Sequence, residues 1–133
     1  NFAGYYERGR DKLTGTLCEM IELGQKVSAV DYNNAVAGRE VLNSGLNDVF
    51  YDYDIIITPA APGTAPLGLD ATGSPIFNTL WTFCGVPAIT LPLMHGRDGM
   101  PLGVQLIGPR GDDARLLRSA RWLANRVADD GGN

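Results

Sequence analysis

The sequence predicts an α/β fold in which a mixed β-sheet is flanked by helices. Three observations support this class: helical periodicity over residues 1–53, three short apolar runs of strand character after it, and helical patterns between and after those runs. Helices before, between and after strands are typical of a sheet with mixed strand directions. We therefore expect one unit over residues 1–133, with a helical first part (1–53) and a strand–loop–helix–hairpin–helix second part (54–128).

The first part predicts two helices. The apolar positions of the first helix recur at helical spacing: Leu13, Leu17, Met20 and Ile21. Gly24 follows them, where a left-handed stop is common. Ser28 and Asp31 match a capping box, so we expect the second helix to start there. Its predicted apolar stripe consists of Ala35, Leu42, Leu46, Val49 and Tyr53.

A short buried strand is predicted over residues 54–58, where a β-branched run precedes Pro59. Pro59 cannot donate to a ladder, so the strand should end there. Residues 59–75 are too rich in proline and glycine for a regular element, and a loop of this length is functional, mobile or an ordered wrap over the sheet. A short helix is then expected over residues 76–84.

The next two apolar runs predict strands over residues 88–93 and 102–107. The connection from Met94 to Pro101 is too short for a parallel crossover, so the two strands should form a β-hairpin. A last helix follows and runs to about residue 128, with Asp112 or Asp113 as its N-cap.

Composition limits the class of partner. Apolar residues make up 44% of the chain and charged residues 20%, as in ordinary globular proteins, so disorder and collagen are excluded. The formal net charge of −4 argues against a nucleic-acid backbone and an anionic membrane surface as partners. No apolar run approaches the roughly 20 residues of a transmembrane helix. Cys18 and Cys84 lack disulfide-scaffold or metal-ligand spacing, so we expect a cytoplasmic protein with no metal and no cofactor.

Residue chemistry by itself shows no complete active site. His95, the one histidine, lies in the predicted hairpin turn, and we interpret it as a solvated residue rather than a general base. Cys84 lies near the C-terminal end of a short helix, where the dipole disfavours a thiolate, so we interpret it as a small buried hydrophobe. No serine stands in a Gly-x-Ser-x-Gly elbow.

One turn could hold a phosphate. Residues 108–111 (GPRG) join a strand to a helix, and backbone N–H groups at a helix N-terminus bind anions. Asp112 and Asp113, however, put negative charge where the anion would lie, which favours a capped turn. Arginines on the last helix, Arg115 among them, are expected to form a solvated face with ion pairs to these aspartates.

Three stretches, in this order and spacing, resemble the C-terminal end of amidase-signature enzymes: YDIIITP (53–59), FNTLWTFCGVPAITLP (77–92) and GMPLGVQLIG (99–108). The helix start DDARLL at Asp112 and the SAVDY segment at Ser28 are similar to that family as well. The resemblance extends from about residue 5 to residue 128 and implies hydrolysis or transfer of amide groups.

The family implies a Ser–cis-Ser–Lys triad in a Gly/Ser-rich segment, with an oxyanion hole of backbone N–H groups. No Gly-Ser-Ser or Ser-Gly-Gly run occurs in this chain. The resemblance therefore implies that the catalytic half lies N-terminal to it and that no catalytic residue is present here. We expect the chain alone to be inactive.

The resemblance also implies which residues approach a substrate: Thr58, Asn78, Trp81 and Thr82. The predicted short helix agrees in part, because it places Asn78, Trp81 and Thr82 away from the apolar face. The alternative for Asn78 is a polar residue at the start of a surface helix.

Two functions remain open. The chain is either a scaffold and pocket wall of an enzyme with a small amide substrate, or a non-catalytic interaction module derived from the same fold. In either case an exposed sheet edge and uncovered faces imply a partner, which is the missing N-terminal half or a second copy.

Overall fold

The computed structural model describes residues 2–130, with the side chains of residues 2–129. Residues 1–38 and 39–133 form two compact units. The elements, in chain order, are α1 (Ala3–Gly9), a 3₁₀ turn (Arg10–Lys12), α2 (Gly15–Gln25), α3 (Ala29–Asp52), β1 (Ile56–Pro59), α4 (Thr79–Cys84), β2 (Ala88–His95), β3 (Pro101–Ile107) and α5 (Asp113–Asp130).

The first unit contains one more helix than the sequence predicted. Thr14 has extended backbone and its hydroxyl accepts a hydrogen bond from the Leu17 N–H at 3.4 Å, so a new helix starts after it. The prediction of a left-handed stop at Gly24 was wrong. Helix α2 continues to Gln25, and its C-cap, Lys26, keeps right-handed dihedral angles.

Helices α1 and α2 are joined by a polar cluster. The Tyr6 hydroxyl donates to the Glu22 carboxylate, and Arg10 donates to Tyr6 at 2.7 Å and to Glu22 at 3.1 Å. Hydrogen bonds from Tyr6 and then Arg10 lower the pKa of Glu22 from its ordinary value. This cluster holds α1 beside α2 where burial of apolar surface is slight.

The predicted start of α3 is confirmed, because the Ser28 hydroxyl oxygen accepts from the Asp31 N–H at 3.0 Å. The predicted buried stripe was wrong: within the described residues Asn43 and Phe50 are the buried positions of α3. Four stripe residues are exposed, and the fifth is half-buried: Ala35, Leu42, Val49 and Tyr53, with Leu46. The buried face is therefore turned by about one residue from the predicted face.

The α/β class is confirmed, and the three described strands form one sheet in the order β1–β3–β2. Strand β3 lies antiparallel to both neighbours, so the mixed pairing expected from the sequence is not found among the described strands. The reason is that the predicted hairpin, which is confirmed, turns β3 back between β1 and β2. The turn is tight, with Gly99 at φ +78° and a hydrogen bond from the Gly96 N–H to the Met100 carbonyl at 2.8 Å.

Prolines are placed where the sheet tolerates them. Pro59 ends β1, which is an edge strand. Pro92 lies in β2, the other edge, between Leu91 and Met94, where the register with β3 shifts. A residue that cannot donate to a ladder is accommodated at such an edge or bulge.

The two faces of the sheet differ in chemistry. Helix α5 covers one face with Leu116 and Ala120, which pack against Leu106 of β3 to form the apolar core. Gly108 allows this approach, since a Cβ at that position would lie 2.9 Å from the Leu116 Cβ. The opposite face carries Gln105 at its centre, and this face positions the candidate site.

Helix α4 is shorter at its start than the predicted helix over residues 76–84. The carbonyl of Pro75 accepts from the N–H groups of Asn78, at 2.8 Å, and Thr79, at 3.1 Å, which forms a turn before the helix. The helix ends at Gly85, whose φ of +68° is a left-handed cap. The segment from residue 60 to residue 78 contains no helix or strand, as predicted.

Candidate functional site

A row of polar residues crosses the sheet on the face opposite α5. In the strand register, Thr58 of β1 and Thr90 of β2 lie directly opposite Gln105 of β3, one on each side. Residues that are directly opposite in neighbouring strands point to the same face. Gln105 is 4% exposed, so its amide group must find partners within the protein.

Those partners form a relay of side-chain hydrogen bonds. The Thr58 hydroxyl donates to Gln105 Oε1 at 3.1 Å, and Gln105 Nε2 donates to Asn78 Oδ1 at 2.5 Å. Asn78 Nδ2 then donates to the carbonyl oxygen of Ala60 at 3.2 Å. The relay thus connects strand β1, strand β3, the residue before α4 and the first residue of the long loop.

Two of the four predicted pocket residues, Thr58 and Asn78, are therefore linked through a third residue. Sequence reasoning missed Gln105 because the strand was considered by its apolar face alone. A signal was available, because a glutamine at this position of a predicted strand must lie opposite that apolar face. The hairpin register then places it beside Thr90, and the structure adds Thr58.

The other two predicted pocket residues belong to α4. Thr82 is exposed and half-buried Trp81 precedes it. Asn78 and Thr82 share one groove, and Thr58 lines a second groove between β1 and β3. The residues that complete the first groove are Pro75, Thr79 and Phe83.

The long loop is held to the tip of the hairpin by a second contact. The Thr64 hydroxyl donates to Asp98 Oδ2 at 2.9 Å, and the Met100 N–H donates to Asp98 Oδ1 at 3.1 Å. These donors, Met100 first, lower the pKa of the Asp98 carboxyl from its ordinary value. Gly96 makes room for the contact, since a Cβ there would lie 2.4 Å from the Thr64 Cγ2.

The other candidates from the sequence take structural positions. Cys84 is 1% exposed, and its carbonyl accepts from Asn43 Nδ2 at 3.2 Å, which confirms the interpretation as a buried hydrophobe. His95 is exposed but is the last residue of β2, opposite Pro101, and not part of the turn as expected. The reason is that β2 continues past its predicted end beyond the bulge.

The turn over residues 108–111 is capped by protein groups. Asp112 Oδ1 accepts from the Arg115 N–H at 3.0 Å, and Asp112 Oδ2 pairs with Arg115 Nε at 3.1 Å. The carboxylate therefore lies where an anion would bind the helix N-terminus, which favours the capped turn. Arg115 is half-buried rather than fully solvated, and it also donates to the Phe50 carbonyl at 3.4 Å.

Metal and membrane signals are both missing from the described part of the chain. Residues 2–130 contain no group of three or more His, Cys, Asp or Glu side chains that could hold a metal ion. Over the same residues no helix combines the length and the apolar character that crossing a membrane requires.

The fold and the order of motifs define an amidase-signature protein. The model of the family described as Amidase matches residues 1–117 of the 133, and the chain belongs to this family. A similar curated protein is a glutamyl-tRNA(Gln) amidotransferase subunit of Neisseria meningitidis serogroup C (strain 053442), 36% identical over 98 residues. The corresponding protein of Brevibacillus brevis (strain 47), which has the same name, is 31% identical over 96 residues.

The chain is much shorter than these relatives. The Neisseria match covers 69% of this chain and 20% of the relative, and the Brevibacillus match covers 67% and 20%. A crystal structure of an amidase superposes with a TM-score of 0.81 at 26% identity over 94% of this chain and 31% of that chain. The fold of nearly the whole chain is thus found within a larger amidase.

Proposed function

We propose that this chain is the C-terminal portion of a cytoplasmic amidase-type hydrolase that cleaves the carbon–nitrogen bond of a small amide. The observation that carries the proposal is the family match over residues 1–117 in a sequence that lacks any Gly-Ser-Ser or Ser-Gly-Gly run. The catalytic Ser–cis-Ser–Lys triad would then lie upstream of Asn1. In this arrangement the chain supplies scaffold and pocket wall.

The chemistry assigned to the complete enzyme is acyl transfer. A serine would attack the amide carbonyl, the amine would leave with a proton, and water would hydrolyse the acyl-enzyme. Such an enzyme needs a pocket that binds the amide group and excludes competing geometries. Thr58, Asn78 and Thr82 would supply polar groups to that pocket, and Trp81 would supply an apolar wall.

The test begins with the reading frame upstream of the codon for Asn1. We expect it to encode a lysine followed by a glycine- and serine-rich run with paired serines. The complete protein should release ammonia from a simple amide such as benzamide, and the 133-residue chain should not. A start codon immediately upstream, or hydrolysis by the isolated chain that one of its own residues abolishes, would overturn the proposal.

A second candidate is a non-catalytic interaction module derived from the amidase fold. Exposed apolar residues favour it: Leu67 and Leu69, which flank Gly68 in the long loop, are fully exposed. Apolar surface of this kind fits a partner, either the complementary half of an amidase or a second copy of the chain. Size-exclusion chromatography with light scattering tests it, because a monomer with a cooperative thermal transition would contradict an uncovered interface.

A further inference from the structure

The relay that crosses the sheet has a defined direction, and the Ala60 carbonyl sets it. A backbone carbonyl oxygen only accepts hydrogen bonds, so Asn78 must present Nδ2 to Ala60. Asn78 Oδ1 then faces Gln105, which must present Nε2. Gln105 Oε1 is left facing Thr58, whose hydroxyl must donate.

The reverse direction is unfavourable. If both amide groups rotated by 180°, Asn78 Oδ1 would face the Ala60 carbonyl, and two acceptors would be opposed without a proton between them. Rotation of Gln105 alone would bring its Oε1 against Asn78 Oδ1, which again opposes two acceptors. One fixed acceptor in the loop therefore determines the orientation of two amide groups and one hydroxyl group.

Gln105 is the residue through which this order is transmitted. It is buried at the centre of β3, whereas Thr58 and Asn78 are half-buried and line the two grooves described above. Because Asn78 uses one N–H for Ala60, its second N–H remains for a ligand. A hydrogen-bond acceptor such as an amide carbonyl oxygen suits that group.

We propose that Gln105 is a positioning residue of the candidate pocket, which orients the Asn78 amide and the Thr58 hydroxyl so that Asn78 offers an N–H to a substrate carbonyl. This inference rests on the proposed function only in treating Asn78 and Thr58 as pocket residues. Gln105 itself touches no substrate in this scheme. It acts through its two hydrogen-bonded neighbours.

The experiment compares three variants of the 133-residue chain. Gln105→Leu removes both hydrogen bonds of the central residue, and Thr58→Val removes the inward donor while keeping the branched shape. Thr90→Val is the matched control, because Thr90 is the other cross-strand neighbour of Gln105 and its hydroxyl does not join the relay. The readouts are the ¹⁵N–¹H signals of the Asn78 side-chain amide, assigned by their loss in Asn78→Ala, and the Kd for benzamide.

We expect Gln105→Leu and Thr58→Val to shift the Asn78 side-chain signals and to speed their exchange with solvent. The Kd for benzamide should rise about tenfold in Gln105→Leu, as for the loss of one well-oriented hydrogen bond. Thr90→Val should resemble the wild type in both readouts. A merely structural role for Gln105 would lower the melting temperature and leave the Kd of the folded variant unchanged.

The outcomes separate this inference from the proposed function. Unchanged Asn78 signals in a folded Gln105→Leu variant, or in Thr58→Val if the former does not fold, would overturn the positioning role. If the Asn78 signals respond to these variants but benzamide does not bind the wild type, the relay is supported and the pocket assignment fails. Loss of benzamide binding in Thr90→Val would also count against the relay, since that change leaves it intact.

Discussion

The side chain of Asn43 in α3 donates a hydrogen bond to the carbonyl oxygen of Cys84 at the end of α4, with 3.2 Å between Nδ2 and the oxygen. Asn43 is 8% exposed, and α4 ends at this carbonyl, which has no partner within the helix. A polar residue on the buried face of a helix thus satisfies an orphan carbonyl of another helix. The contact fixes one end of α4, the helix that carries Trp81 and Thr82.

Removal of this contact should destabilise the fold. We expect Asn43→Ala to lower the free energy of unfolding by about 1–3 kcal/mol, because the Cys84 carbonyl would stay buried without its donor. Urea titration followed by circular dichroism measures the change. Asn47→Ala is the control, since Asn47 lies in the same helix and is exposed. Equal effects of the two substitutions would mean that the bond to Cys84 contributes nothing.

Gly108 should not tolerate a side chain. A methyl group there would lie 2.9 Å from the Leu116 Cβ, so Gly108→Ala should separate α5 from the sheet and cost about 1–3 kcal/mol in the free energy of unfolding. Gly45→Ala in α3 is the opposite case, because a Cβ at Gly45 meets no atom within 4 Å. Alanine is the better helix former, so Gly45→Ala should stabilise by about 0.5–1 kcal/mol. Thermal unfolding of both variants tests the difference in sign.

The contact between the loop and the hairpin should depend on pH. The pKa of Asp98 is lowered in the folded protein by the Met100 N–H and the Thr64 hydroxyl, so the folded state favours the carboxylate. Its contribution should be present above the unfolded pKa of about 3.9 and should be lost as the pH falls through the folded pKa. Amide hydrogen exchange at Met100, followed as the pH is lowered, measures this opening.

Asp98→Asn should remove most of that pH dependence, because the amide cannot titrate. Asp70→Asn changes the net charge by the same amount at an exposed position of the loop and serves as the control. If Asp98→Asn kept the acid response of the wild type, the opening would have to come from another group.

The start of α5 should depend on Asp112 more than on Asp113. Asp112 accepts from the Arg115 N–H and pairs with the Arg115 guanidinium, whereas Asp113 is exposed in the first turn. Asp112→Ala should therefore cost about 0.5–2 kcal/mol, the usual range for loss of an N-cap. We expect Asp113→Ala to change the free energy of unfolding by a few tenths of a kcal/mol. Thermal denaturation at one fixed pH compares the two variants, and a larger loss in Asp113→Ala would contradict the assignment of the cap.

Local signals were sufficient for several elements. The capping residue Ser28, the cap Asp112 and the hairpin between β2 and β3 follow from residue types and short spacings, and the structure confirms each. Such features depend on contacts between residues close in sequence. Their physical basis is contained in a few neighbouring residues, so a single sequence can specify them.

Features that depend on distant contacts were predicted less well. In α3, Leu42, Leu46 and Val49 have helical spacing, but so do Asn43, Leu46 and Phe50. Periodicity cannot choose between two faces that differ by one residue. The choice falls to Asn43 because the Cys84 carbonyl, 41 residues further along the chain, accepts its hydrogen bond.

The sequence by itself determined the α/β class, the family motifs and two linked members of the candidate site, Thr58 and Asn78. The tertiary structure alone decided that β3 lies between β1 and β2, and hence that Gln105 joins these two residues. The reason is physical. The order of strands and the direction of a side-chain relay arise from groups 18 to 47 positions apart in the chain, whereas the spacings that predict helices and turns extend over only a few residues.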